Sequence, residues 1–245
     1  MNKAIAMVTA LGLTCGATAA VQASPQEDQE NFKQFYMERF PDVPQEDFIN
    51  GVYSIDAPGR ENWEAIEEFP PYETALSDGE EMWNTAFANG KTYQDCFPDG
   101  PGVAGKYPHW DKDRGMVVTM ALAVNECREA NNEKPLKYKK GPIANILAYM
   151  AYETRGQITN VEIPEDDPKA LEAYEQGKQF WFAKRGQLNF SCANCHAQNP
   201  GAVLRTETLS PAYGHTTHWP VYRSKWGAKG TRHRRFTACN KQARA

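Results

Sequence analysis

Beyond residue 23 the chain has no apolar run that approaches the ~20 residues a membrane-spanning helix needs. The one hydrophobic stretch is the opening MNKAIAMVTALGLTCGATAAVQAS, with Lys3, a short apolar core and the small-residue site Val21-Gln22-Ala23. It reads as a secretory signal peptide, residues 1–23, cut before Ser24. The expectation is an exported protein without a membrane span. Methionine is missing from everything after Met150. Acidic residues all but vanish from the tail: residues 201–245 hold nine basic side chains against Glu207 alone, a balance of +8. Residues 24–100 hold 18 acidic and 4 basic side chains, a balance of −14. In an exported protein the basic tail points to a small anion or an acidic partner rather than to nucleic acid.

The cysteines do not come in pairs. With Cys15 gone in the leader, Cys96, Cys127, Cys192, Cys195 and Cys239 remain, an odd number. In an oxidising compartment one of them must be a ligand, be reactive or bond to another chain.

Two of the five lie in Cys192-Ala193-Asn194-Cys195-His196, a C-x-x-C-H. Two thiols at this spacing can each add to a vinyl group of haem, and His196 then reaches the iron from the proximal face. A zinc or redox site is the alternative for a bare C-x-x-C, but the adjoining histidine and the export signal favour c-type haem. Upstream, PKALEAYEQGKQFWFAKRG predicts an amphipathic helix from Pro168 to about Gly186, with Leu171, Tyr174, Lys178 and Trp181 on one face. Gly177 in its middle would let a second helix pack closely.

A fainter copy of this pattern lies earlier. Gly79/Trp83 matches Gly177/Trp181, Gly90 matches Gly186, Cys96 matches Cys195, and a Pro-Gly follows each cysteine five residues on. In that register Tyr93 stands for Cys192 and Phe97 for His196. The first copy thus reads as a haem site that has lost one thiol and its iron ligand. Ser77 and Glu80 are a possible capping box for its first helix. Core helices are predicted within RGMVVTMALAVNECREANN, carrying Val117, Met120, Ala121, Val124 and Cys127, and within GPIANILAYMAYETRG, carrying Ile143, Ile146, Leu147 and Met150. EIPEDDP is a polar linker. The expected fold is mostly α, two cytochrome c-like domains in tandem, the first with a degenerate haem site. The boundaries are an extension over 24–76, a haem-less domain over 77–161 and a haem-binding domain over 168–245.

One haem per chain is therefore expected. Without a haem in the first copy, Cys96 and Cys127 have no ligand role. A disulfide would close the loop between them and add ~3–4 kcal/mol; two free thiols are the alternative. For the distal side of the iron the absence of methionine after His196 leaves His215, His218, His233 and Cys239, with a lysine as the lesser alternative. A histidine would make an ordinary low-potential bis-His electron carrier. Cys239 as thiolate would push electron density onto iron, with Arg234 and Arg235 expected to lower its pKa.

The motifs CANCHAQNPG, PVYRSKWG and HRRFTACN, in that order, resemble the SoxA family, the haem-bearing subunits of SoxAX cytochrome complexes, L-cysteine S-thiosulfotransferases. The resemblance spans most of the chain beyond the leader. It implies the single-haem form, in which a Cys96–Cys127 disulfide replaces the first haem. It also implies that Cys239 is both distal iron ligand and catalytic cysteine, found as a persulfide, with Arg235 beside it. The implied reaction joins thiosulfate oxidatively to a cysteine of the periplasmic carrier SoxYZ, with electrons leaving through haem to SoxX. Family members continue past the active cysteine into a terminal helix, which this chain is expected to lack. A plain bis-His electron-transfer cytochrome and a haem-anchored structural subunit are the other function classes the residues leave open.

Overall fold

The computed structural model describes residues 23–245. The leader read over residues 1–23 lies, but for its last residue, outside the described residues. Helices account for about 54 % of the chain, in keeping with a mostly α fold. None among the described residues is long and apolar enough to cross a membrane.

Local sequence explains where most helices begin. Helix α1, Pro25–Arg39, starts at a reciprocal box in which Ser24 Oγ accepts from the Glu27 N–H and Glu27 Oε2 from the Ser24 N–H. A 3₁₀ coil over Gln45–Ser54 leads to α2, Ala57–Ile66, capped by Asp56. Helix α3, Glu73–Asn84, starts four residues before Ser77, which sits inside it, so the Ser77/Glu80 capping box does not form. The box at this end of the chain is instead Thr92/Asp95, ahead of the single turn α4, Tyr93–Cys96. A short hairpin of β1, His109–Asp111, and β2, Met116–Val118, precedes α5, Met120–Ala130, which Thr119 caps. Proline occupies the first helical position of α6, Pro142–Tyr152, and of α7, Pro168–Phe182. Helix α7 stops four residues short of Gly186. Two hairpins follow: β3, Val203–Leu204, with β4, Glu207–Thr208, then β5, Val221–Arg223, with β6, Ala228–Gly230. The last element is α8, Arg232–Ala243, capped by Thr231. Cys239 lies on this helix rather than ahead of one.

Two apolar centres form. The first is built by its own segment: Trp83, Phe87, Tyr93, Phe97, Val124, Ile143, Ile146 and Met150 are all buried, with α3 packed on α6. Gly79 makes that crossing possible, because a Cβ there would strike the Asn145 carbonyl and stand 2.7 Å from Tyr149 Cβ. Gly177, its match on α7, has nothing within 4 Å of such a Cβ among the described residues, so the close packing expected there is not seen.

The second centre is small and borrowed. Its buried members are Tyr36, Phe48 and Ala212, with Phe32, Met37, Phe40, Val43, Trp181 and Tyr213 around them. Five of these nine come from the segment before residue 44. Helix α1 lies against α7, where Asp28 accepts from Tyr174 Oη at 2.9 Å and pairs with Lys178, and the Phe32 ring meets Trp181 edge-on. Residues 24–56 thus pack as part of the C-x-x-C-H half.

Candidate haem and sulfur site

His196 is placed by its backbone and by its ring. The carbonyl accepts from Tyr36 Oη at 2.5 Å, and the same oxygen of Tyr36 accepts from the Ala212 N–H at 3.2 Å. Burial raises the Tyr36 pKa to about 12, so it is a lasting donor. On the ring, Nδ1 donates to the Ser210 carbonyl at 2.9 Å, which leaves Nε2 as the lone-pair nitrogen, the arrangement of a metal-ligating histidine. Burial keeps the imidazole neutral by lowering its pKa. Trp181 stacks on it at 6.4 Å and 29°.

The first half repeats that stacking. There Trp83 lies 6.0 Å from Phe97 at 27°, with Tyr93 stacked on its other neighbour position at 6.1 Å. These rings belong to the first apolar centre. Cys96 and Cys127 are joined as a disulfide.

Helix α8 brings Cys239 and Arg235 to the C-x-x-C-H segment. Cys239 lies within electrostatic reach of Cys192 and Cys195, and Arg235 acts on Cys195, Cys239, His196 and His215 together. Arg234 takes no part: its guanidinium lies 4.2 Å over the Trp226 ring and donates to the Lys229 carbonyl. The expected acidification of Cys239 is also reversed in sign. Burial raises the thiol pKa, and the Arg235 charge opposes this without overcoming it. A thiolate at this position needs iron, not guanidinium alone.

The histidines of the tail are engaged elsewhere. His215 Nε2 bonds Ser210 Oγ at 2.7 Å, and burial beside His196 drives its pKa to about 2. Its ring centroid is 4.6 Å from that of His196, nearly perpendicular. An iron between two imidazoles, each bond about 2 Å, would hold the centroids roughly 6 Å apart, so these two cannot flank one metal. His218 bonds the Ile49 carbonyl, and His233 lies 5.2 Å from Tyr138 of the first half.

Sequence reasoning missed several contributors. Tyr36 and Ser210 orient the proximal histidine, but nothing in their own segments marks them. Arg185 Nη1 contacts Cys192 Sγ at 3.7 Å. Glu207 binds Arg223 at 2.6 Å and Lys225 at 3.6 Å. Burial alone would raise its pKa, but the Arg223 hydrogen bond and the charges of Arg223, Lys225 and Arg235 hold it below the usual carboxylate range. Two buried donors, Arg232 Nε and Arg235 Nη1, have no partner. The Arg235 charge beside three free cysteines and a neutral, oriented histidine suits a haem, whose propionates are anions, and an anionic sulfur substrate. Among the described residues no cage of three or more His, Cys, Asp or Glu is gathered for a bare metal ion.

A family model described as SoxA/TsdA, cytochrome c domain, matches residues 78–158. The chain is 62 % identical to the L-cysteine S-thiosulfotransferase subunit SoxA of Allochromatium vinosum over 98 % of its own length and 86 % of that protein's. Against the subunit of the same name from Chlorobaculum tepidum the identity is 48 %, over 97 % and 82 % of the two chains. The crystal structure of SoxXA from P. pantotrophus superposes with a TM-score of 0.63 at 29 % identity, covering 72 % of this chain and 67 % of that one. On this agreement of sequence and structure, the chain belongs to the SoxA family of L-cysteine S-thiosulfotransferase subunits.

Proposed function

We propose that Cys239 and Arg235, facing the C-x-x-C-H segment from α8, are the catalytic pair of an L-cysteine S-thiosulfotransferase acting on thiosulfate and a cysteine of the carrier SoxYZ. Cys192 and Cys195 would hold haem c, one group per chain, by their thiols, and His196 and Cys239 would be the residues that bind its iron. Its first half is a cytochrome c-like copy in which Trp83, Tyr93 and Phe97 and the Cys96–Cys127 disulfide take the place of a haem. The observation that carries the reading is the placement of Cys239 and Arg235 by α8 while His215 and His218 are bonded elsewhere.

In the reaction an S–S bond forms between the carrier cysteine and the sulfane sulfur of thiosulfate. The carrier thiol loses its proton to solvent, and two electrons leave the pair of sulfurs. When bound, the haem supplies an electron sink and an outlet to SoxX. This chain's residues do the rest. Cys239 is the nucleophilic sulfur: it takes up whole thiosulfate through its sulfane sulfur as the two electrons leave. The carrier thiolate then attacks that sulfane sulfur, forming the carrier's S–S bond and releasing Cys239 as thiolate. Arg235, with a free buried Nη1, offsets the charge of a dianion approaching a sulfur anion. Tyr36 and Ser210 keep His196 aimed, and burial excludes water from it. The reaction belongs to the periplasm, where the leader would send the chain.

Replacing Cys239 by alanine tests this. The Cys239→Ala chain should keep one covalent haem by the pyridine haemochrome assay, lose the thiolate-type EPR signal and lose thiosulfate conjugation to the carrier. An unchanged spectrum with full activity would instead favour a bis-His electron carrier.

A further inference from the structure

Arg223 is a cation of the sulfur site that the catalytic pair does not use. It ends β5, whose hairpin with β6 runs through Gly230 and Thr231 straight into α8. Its guanidinium lies 5.1 Å from the centroid of the Trp226 ring, and Arg234 of α8 covers the same ring at 4.2 Å. Nη2 donates to Glu207 Oε2 at 2.6 Å. No other hydrogen bond of this guanidinium forms among the described residues, and the side chain is 21 % exposed. The fork is thus held at one end, and its remaining donors are unpaired but not sealed from an incoming group.

The two arginines divide the site. Both act on the Cys239 sulfur, as does Glu207, and Arg235 acts on Glu207 in turn, so the four form one cluster. Arg235 is also felt at Cys195, His196 and His215, whereas Arg223 is felt at Glu207 and Cys239 and not at those three. Arg223 therefore stands on the side of Cys239 away from the C-x-x-C-H. Thiosulfate is a two-ended anion, with a sulfane sulfur that must meet Cys239 and a sulfonate of three oxygens. A planar guanidinium fork suits the oxyanion end. We propose that Arg223, aimed by Glu207, binds the sulfonate oxygens of thiosulfate while the sulfane sulfur meets Cys239. This rests on the reading of Cys239 as the sulfur that takes up thiosulfate. Arg223, Lys225 and Arg235 less the one carboxylate, Glu207, leave two positive charges, which match a dianion.

The test uses the full haem-loaded chain and the carrier. Arg223→Gln should raise the KM for thiosulfate about tenfold and leave kcat within about threefold, with the KM for the carrier and the EPR spectrum at wild type. Sulfate has the oxyanion end without the sulfane sulfur, so it should compete with thiosulfate, its inhibition constant rising in step. Arg223→Lys keeps the charge but offers one donor atom, which Glu207 occupies, so the KM should rise about threefold. A wild-type KM for thiosulfate in Arg223→Gln overturns the assignment. So does a moved spectrum with that KM unchanged, which would give the arginine to the haem. Equal rises for thiosulfate and carrier would mark a structural role and overturn it as well. If Arg223→Gln does not fold, an unmoved KM in Arg223→Lys is decisive against the proposal. A haem-loaded wild type that conjugates no thiosulfate would be a failure of the Cys239 reading. Sulfate affinity by calorimetry, expected to fall about tenfold in Arg223→Gln, then still judges Arg223.

Discussion

The two halves handle the same pattern in opposite ways. The first half fills its own centre: Trp83 and Tyr93 are almost wholly buried, and α6 presses its backbone onto Gly79. In the second half Cys192, Cys195 and Cys239 stay free and partly open, and the apolar support comes from α1 and the coil after it. A self-filled domain needs no cofactor and closes with a disulfide. A domain built around a cofactor cannot fill its own centre with side chains, so distant segments brace it. The difference is the cost of keeping a pocket: packing atoms absent from the site must be replaced at its rim.

That comparison breaks most readily at Tyr36. Tyr36→Ala should destabilise the C-x-x-C-H half by about 3–5 kcal/mol, since it empties the smaller centre and orphans the Ala212 N–H. Denaturation followed at the haem band should show the loss, together with a shifted axial spectrum. A spectrum and midpoint at wild type would mean that α1 does not brace the site.

Next in size is the disulfide. Changing Cys96 and Cys127 together to serine should cost about 3–4 kcal/mol by freeing a loop of 31 residues' separation. Haem content and the visible spectrum should not change. Loss of haem in that double variant would join the two halves more tightly than their packing indicates.

The glycine pair gives the smallest and sharpest contrast. Gly79→Ala should destabilise by about 1–3 kcal/mol, because the new methyl meets the Asn145 carbonyl on α6. Gly177→Ala, with open space around it, should stabilise the isolated chain by roughly 0.5–1 kcal/mol through helix propensity. Equal effects at both, measured by thermal unfolding, would erase the distinction between a packed and an unpacked face.

Legibility followed the range of the interactions. Pro168 announces its helix, and the C-x-x-C-H, the odd cysteine and the Gly-Trp repeat are readable because each is a local spacing. Ser77 misled because a capping box is only a pattern until the backbone ends there, and α3 runs through it. The segment of α8 shows no clear apolar stripe, since four of its twelve residues are Lys or Arg, so its helix was not anticipated. The Arg235 effect on Cys239 was read with the right direction but the wrong outcome, since burial outweighs one guanidinium.

By itself the sequence determined the chemistry available: two thiols and a histidine at haem spacing, a fifth cysteine among cations, and no methionine after Met150. Those are properties of residue type and separation along the chain, and they survive in any conformation. Only the tertiary structure decided which groups meet. It set Tyr36 under a histidine 160 residues away, turned His215 against His196 and out of ligand position, and aimed Arg235 but not Arg234 at the sulfur. It also left Arg235 Nη1 buried with no hydrogen-bond partner among the described residues. Burial and orientation belong to the packed whole, because the free energy of a charge or a donor depends on what surrounds it and not on its neighbours in sequence.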